Sequence, residues 1–231
     1  FYSAFRVFEE TGASQVQFSV PSGNFGDILA GWYAKQMGLP ISRLVLATNE
    51  NDILARFFNT GVYAKGQVVP TVNPSMDIQV ASNFERWLYY KVGQDPKAIS
   101  RLMAQFALEG RMQIPRDAKG RVDLEIVAGA SDTKHTLATI RRYYEKHSYL
   151  MDPHTAAGVF VAEQYNELDD PTVCLATAHP AKFAEAIEDA TDQEDLAHHP
   201  TLDSLAKVPT RCEIIENNCE TVKAYLAARA R

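Results

Sequence analysis

A glycine-bearing loop set between a strand and a helix constrains this chain most. Val16, Phe18 and Val20 alternate with Gln17 and Ser19, the period-two pattern of a strand, and Pro21 stops it. Ser22-Gly23-Asn24-Phe25-Gly26-Asp27 follows, then a helical run with Ile28, Leu29, Trp32, Tyr33 and Met37, capped by Gly38. The rhythm repeats in the strand Leu44-Val45-Leu46 and a helix from about Asp52 to Asn59, ended by Gly61. Strand–helix alternation predicts an α/β fold, a parallel sheet with flanking helices joined by crossovers. In such a loop glycine lets a ligand approach the backbone, and the free N–H groups of the next helix favour an anion. The spacing is Gly-x-x-Gly, neither a P-loop nor GxGxxG, and a tight turn that binds nothing fits the same residues.

From about Phe84 to His147 the texture turns mainly helical, which predicts an insertion beside the sheet. Phe84, Trp87 and Leu88 make one apolar face; Ile99, Leu102, Met103 and Phe106 make another. A third helix starts behind Ser131 or Asp132, and Val122, Leu124 and Ile126 fit one short strand. The α/β rhythm then resumes: a helix from Pro153 to about Leu168, a strand Thr172–Ala176, and a helix from Pro180 to about Ala190. A last strand at Cys212–Ile215 and a helix from Asn217 to about Arg229 close the chain. Phe1, Tyr2, Phe5 and Phe8 place the start inside an amphipathic face without a cap, so the 231 residues are expected to be a piece of a longer protein.

Composition excludes some functions. A net charge of −6 lacks the footprint of a nucleic-acid binder, and no apolar run is long enough to span a membrane. Cys174, Cys212 and Cys219 form neither a disulfide framework nor a metal-ligand spacing, and free thiols fit a reducing cytoplasm. The second chemical signal is Ala176-Thr177-Ala178-His179-Pro180-Ala181-Lys182-Phe183, where another strand gives way to a helix. Ligands gather outside the carboxyl ends of parallel strands, so Thr177 and the glycine loop are placed on one crevice. The residues alone favour the plainer reading, with Thr177 capping the next helix and His179 a polar turn residue. Thr48-Asn49-Glu50-Asn51-Asp52 reads most simply as helix capping, and His198-His199 as a solvated loop.

Four blocks, in order, together resemble threonine synthase in its longer bacterial and fungal form. They are Val20–Gly31; Ala47–Asp52; Pro74-Ser75-Met76-Asp77-Ile78 with Ser82-Asn83-Phe84-Glu85-Arg86; and Ala176–Phe183. The resemblance implies a fold-type-II pyridoxal-phosphate (PLP) enzyme that converts O-phospho-L-homoserine and water into L-threonine and phosphate. It also implies that Gly23, Asn24, Phe25, Gly26 and Asp27 hold the cofactor phosphate, chiefly through backbone donors, and that Thr177 bonds the pyridine nitrogen. A neutral hydroxyl there does not oblige that nitrogen to stay protonated, which moderates the electron sink. For the substrate phosphate the candidates are Ser75, Asn83, Arg86 and His154.

The family's Schiff-base lysine stands in an N-terminal region not present here. Residues 1–231 are therefore expected to be the C-terminal portion, with no catalytic residue of their own and no activity alone. Two other readings stand beside this one: a truncated, non-catalytic paralogue that binds a phosphorylated ligand, and another fold-type-II PLP lyase or dehydratase.

Overall fold

The strand read at Val16–Val20 is buried along nearly its whole length, polar positions included. The computed structural model describes residues 1–166, 169–205 and 207–230. In it Gln17 is 1% and Ser19 0% exposed, so the alternation does not mark a wet face. A parallel strand covered on both sides must satisfy such groups internally. Gln17 Nε2 donates to the Tyr165 carbonyl at 3.1 Å, and Ser19 Oγ to the Gly158 carbonyl at 2.7 Å.

From the N-terminus the elements are α1 (Tyr2–Thr11), β1 (Val16–Pro21), α2 (Gly26–Gln36), β2 (Ile41–Thr48), α3 (Ile53–Thr60) and β3 (Val62–Ala64). After a 3-10 turn at Pro74–Met76 come α4 (Phe84–Lys91), α5 (Pro96–Glu109), β4 (Arg111–Gln113), β5 (Ile126–Ala130), α6 (Thr133–His147), α7 (Pro153–Glu163) and β6 (Thr172–Cys174). A 3-10 turn at Pro180–Phe183 leads into α8 (Ala184–Thr191), followed by α9 (Pro200–Leu205) and α10 (Cys219–Arg229). The main sheet runs β5-β2-β1-β6, all parallel, with Phe18 opposite both Leu44 and Val173. Parallel pairing sends the loops after β1, β2, β5 and β6 out at one edge.

Each face of the sheet has its own core. Val20, Leu44 and Leu46 pack into a cluster with Ile28 and Leu29 of α2, Leu54 and Phe57 of α3, and Phe84 and Trp87 of α4. Val45 and Ala47 face the other way onto Val161 of α7, and Ala156 and Val159 of α7 join Ile140 of α6 and Ile187 of α8.

Several expectations need correction. The stretch from Phe84 to His147 is mostly helical but not confined beside the sheet, because β5 lies inside it and pairs with β2. That strand starts at Ile126, whereas Leu124 is 71% exposed. The antiparallel pair β3–β4, three residues each, is too short to leave a periodic signal. β6 ends at Cys174, two residues early, and the helix expected from Pro180 begins as the 3-10 turn. α7 ends at Glu163, and the expected limit near Leu168 lies outside the described residues.

The segment from His199 forms a second unit. Within it, Asn218 caps α10 by accepting from Glu220 N at 2.9 Å, and the Arg229 guanidinium lies 3.7 Å from the Tyr225 ring centre. Cys212–Ile215 is not a strand: among the described residues no strand pairs with it, and Ile214 is 97% exposed.

The glycine in α7 sets how closely that helix lies on β1. A Cβ at Gly158 would stand 2.7 Å from Cγ of the rigid Pro21 ring. Gly158→Ala adds helix propensity of about 1 kcal/mol, but forced repacking costs about 1–3 kcal/mol. The expected result is a lower urea midpoint with unchanged m-value; a raised midpoint would contradict this packing.

Candidate functional site

The loop after β1 starts pinned to β2, because Ser22 N donates to the Ala47 carbonyl at 2.8 Å. It then passes so near the Pro74–Met76 turn that a Cβ on Gly23 would lie 3.0 Å from both Met76 Cα and the Ser75 carbonyl. Only glycine fits without moving backbone. Phe25 next takes a left-handed conformation, φ 63°, with its ring fully buried. It stacks on Phe58 at 6.0 Å between ring centres and meets Phe84 edge-on at 5.7 Å. The backbone conformation costs about 1–2 kcal/mol, while burying a phenyl side chain stabilises by about 1.5–3 kcal/mol. Burial therefore holds the bend, and the Phe25 side chain is an anchor, not a ligand contact.

That bend leaves the backbone N–H groups of Gly23 through Asp27 with no acceptor among the described residues. Ser22 Oγ is buried and also without a partner. A run of free amides opening a helix, beside an orphaned hydroxyl, is chemistry suited to an anion. Asn24 braces the loop instead: its side-chain oxygen accepts from Ser82 N, and its carbonyl from Asn83 Nδ2 at 3.0 Å. Arg86 Nη1 donates to Asn83 Oδ1 at 2.9 Å, so Asn24, Asn83 and Arg86 stand together.

The Thr48–Asp52 block has a different job from the expected one. Asp52 precedes α3 without a side-chain capping bond. Asn49 Nδ2 donates to Asp77 Oδ1 at 2.6 Å and Thr71 Oγ1 at 2.8 Å, while Asn51 exchanges bonds with the Val69 backbone at 2.8 and 2.9 Å. These bonds hold the loop that carries Ser75 against the sheet edge.

The opposite side of the site is built on one carboxylate. Asp152 precedes α7 with its side chain 0% exposed. Oδ1 accepts from His154 Nδ1 at 2.9 Å and His154 N at 3.0 Å; Oδ2 accepts from the Thr155 hydroxyl and from Ala178 N at 3.3 Å. Thr177 Oγ1 lies 3.1 Å from both oxygens. Burial alone would push this carboxyl up; the hydrogen bonds from His154 and Thr155 outweigh it and bring it down to about 2. The sequence pattern starts this helix at Pro153 and does not reveal a distant threonine packed on the residue before it.

Gly23, Ser75, His154, Thr177 and Lys182 line one cleft of about 240 Å³ at the carboxyl edge of the sheet. Asp27 lines a different, more apolar cleft of about 530 Å³ with Val20 and Leu175. Asn83 and Arg86 stand beside the glycine loop, outside the lining of the first cleft. His154 is buried, and its second nitrogen, Nε2, accepts from Ser75 N at 3.2 Å. Both ring nitrogens are thus spent within the chain.

The family profile described as threonine synthase, C-terminal, matches residues 155–226. A threonine synthase from Eremothecium gossypii is 45% identical over 215 residues, 84% of this chain and 41% of that protein. One from Pseudomonas aeruginosa is 40% identical, over 92% of this chain and 45% of the relative. The crystal structure of a PLP-bound threonine synthase from Brucella melitensis superposes with a TM-score of 0.87 at 40% identity, covering 99% of this chain and 50% of that one. Over most of its length the chain is similar to threonine synthases. Its fold is that of the fold-type-II PLP enzymes, and it spans about half the length of the relatives it matches.

The Asp152 carboxyl lies lower in the folded than in the unfolded chain. Its contribution to stability is therefore complete above about pH 4 and is lost as pH falls toward 2. Asp152→Asn should lower the urea midpoint at pH 6 and flatten its fall between pH 4 and pH 2. A variant whose midpoint falls as steeply as the parent's would contradict the assignment.

Proposed function

We propose that the intact protein carrying this chain is a PLP-dependent threonine synthase, converting O-phospho-L-homoserine and water into L-threonine and phosphate. The observation that carries this reading is the pairing, on one cleft, of an acceptor-free amide loop with Thr177. An anionic group suits the loop and a ring heteroatom suits the threonine, the two polar ends of PLP. The residues fit the cofactor: Gly23 has no room for a Cβ beside Ser75 and Met76, and Ser22 Oγ awaits a partner.

In this reading the amides of Gly23–Asp27 hold the cofactor phosphate, helped by the positive end of α2 and by Ser22 Oγ. Asn24 and Phe25 shape the loop, and Asp27 contributes its amide, since its residue faces another cleft. Thr177 meets the ring nitrogen. When bound, the cofactor supplies an electron sink for charge developing on the substrate carbons. Ser75 on the cleft, with Asn83 and Arg86 beside the loop, is assigned to the substrate phosphate. His154 is withdrawn from that set because Asp152 and Ser75 occupy both its nitrogens. Lys182 lines the cleft with its ammonium over the Phe183 ring, 5.6 Å from the centre, and is not assigned the covalent role. That role, and the rest of the cleft wall, falls to a region of the protein outside these 231 residues. The free thiols and acidic charge fit a cytoplasmic enzyme.

Incubating the isolated 231-residue chain with PLP should give no borohydride-trapped adduct on Lys182 and no phosphate release from O-phospho-L-homoserine. The intact protein should form threonine from that substrate in preference to deaminating threonine or serine. A stoichiometric adduct on Lys182, or turnover by the chain alone, would overturn the assignment. In the intact protein Gly23→Ala should weaken PLP binding by at least about tenfold, the loss of one to two charge-assisted hydrogen bonds. An unchanged affinity by fluorescence titration would remove the phosphate from this loop.

A further inference from the structure

We propose that Asp152 is a positioning residue that fixes Thr177 as a hydrogen-bond acceptor, so that the ring seated against Thr177 must arrive as an N–H donor, the pyridinium form. This inference rests on the cofactor reading above and adds the protonation state that the site selects.

The argument is an accounting of protons. Thr155 Oγ1 donates to Asp152 Oδ2, and its lone pair receives Thr177 N at 3.1 Å. It therefore has no second proton for the Thr177 hydroxyl 3.4 Å away. An ionised carboxylate has none to offer either, and Thr177 Oγ1 lies 3.1 Å from both of its oxygens. The one hydroxyl proton of Thr177 is thus committed to Asp152, leaving only lone pairs for a ligand. A neutral pyridine nitrogen carries a lone pair as well, and two lone pairs facing each other repel. A protonated ring nitrogen closes the chain in one direction: N–H to Thr177, Thr177 to Asp152.

Charge points the same way. His154 accepts from Ser75 N at Nε2, so the ring proton it gives Asp152 sits on Nδ1. Among the described residues no lysine or arginine pairs with Asp152. A buried carboxylate with no lysine or arginine beside it among the described residues therefore lies one hydroxyl group away from the ring nitrogen. Lys182 is the other ionisable group on the cleft, with its ammonium over the Phe183 ring. A threonine alone leaves the nitrogen free to be neutral; a threonine backed by this carboxylate does not.

The test is the 15N resonance of ring-labelled PLP bound to the intact protein at mildly alkaline pH. Wild type should show the protonated, upfield position. Asp152→Asn removes the charge and supplies an amide donor that can reverse the Thr177 hydroxyl, so the resonance should move downfield to the unprotonated position. Thr177→Val should move it the same way without disturbing the buried hydrogen bonds of Asp152 to His154 and Thr155, and Thr177→Ser should keep it upfield. These shifts report ring protonation, which a purely structural role for Asp152 would leave unchanged. Bound PLP with an unprotonated nitrogen in wild type overturns this inference alone. So does a protonated nitrogen that persists in Thr177→Val. Failure of wild type to take up PLP overturns the cofactor reading and this inference together.

Discussion

Parallel pairing of β1 with β2 on one side and β6 on the other decides where every other group can be. Gln17 aligns with Thr172 and Pro21 with Ala47, so the loops after these strands leave at the same edge. Residues as far apart in sequence as Gly23 and Thr177 then meet across one cleft. The bond from Ser19 Oγ to the Gly158 carbonyl lays α7 across β1 and brings its N-terminus, with Asp152, to that edge. Antiparallel pairing at either side of β1 would send one of the two loops to the far edge and dissolve the site.

The two walls of the cleft are held by opposite kinds of physics. On one, a buried phenyl ring pins a backbone bend that would otherwise be unfavourable, and the strain is offset by apolar burial. On the other, a buried carboxylate costs several kcal/mol to desolvate, and converging donors make that tolerable. Each anchor leaves polar atoms without a full set of internal partners: the loop amides in one case, the Thr177 lone pairs in the other. A protein interior seldom leaves such atoms unmatched unless a ligand completes them.

Much of this is legible in the sequence. The strand–loop–helix at Val16–Gln36 carries its signal locally, in alternation, a proline stop and paired glycines, and the sheet rhythm follows from repeating it. What escaped the sequence is what depends on contacts far apart in the chain. The burial of Gln17 and Ser19 needs α7 overhead, and β3–β4 exists only as a pair. Asn49 and Asn51 look like capping residues because their partners, Thr71 and Asp77, arrive some twenty residues later. Cys212–Ile215 has β-forming side chains but no neighbouring strand among the described residues, and propensity without a partner does not make a sheet. Asp152 is the clearest case: in local pattern it is only the residue before a helix, and Thr177, twenty-five residues on, makes it part of a site. The proposed cofactor rests on family resemblance, since periodicity and spacing alone leave a ligand-free turn equally open.

The most direct measurement is a crystal structure of the intact protein with PLP bound. The account predicts phosphate oxygens within about 3 Å of several amide nitrogens between Gly23 and Asp27, and the ring nitrogen within about 3 Å of Thr177 Oγ1. A phosphate held away from that loop, or a ring nitrogen turned from Thr177, would contradict it.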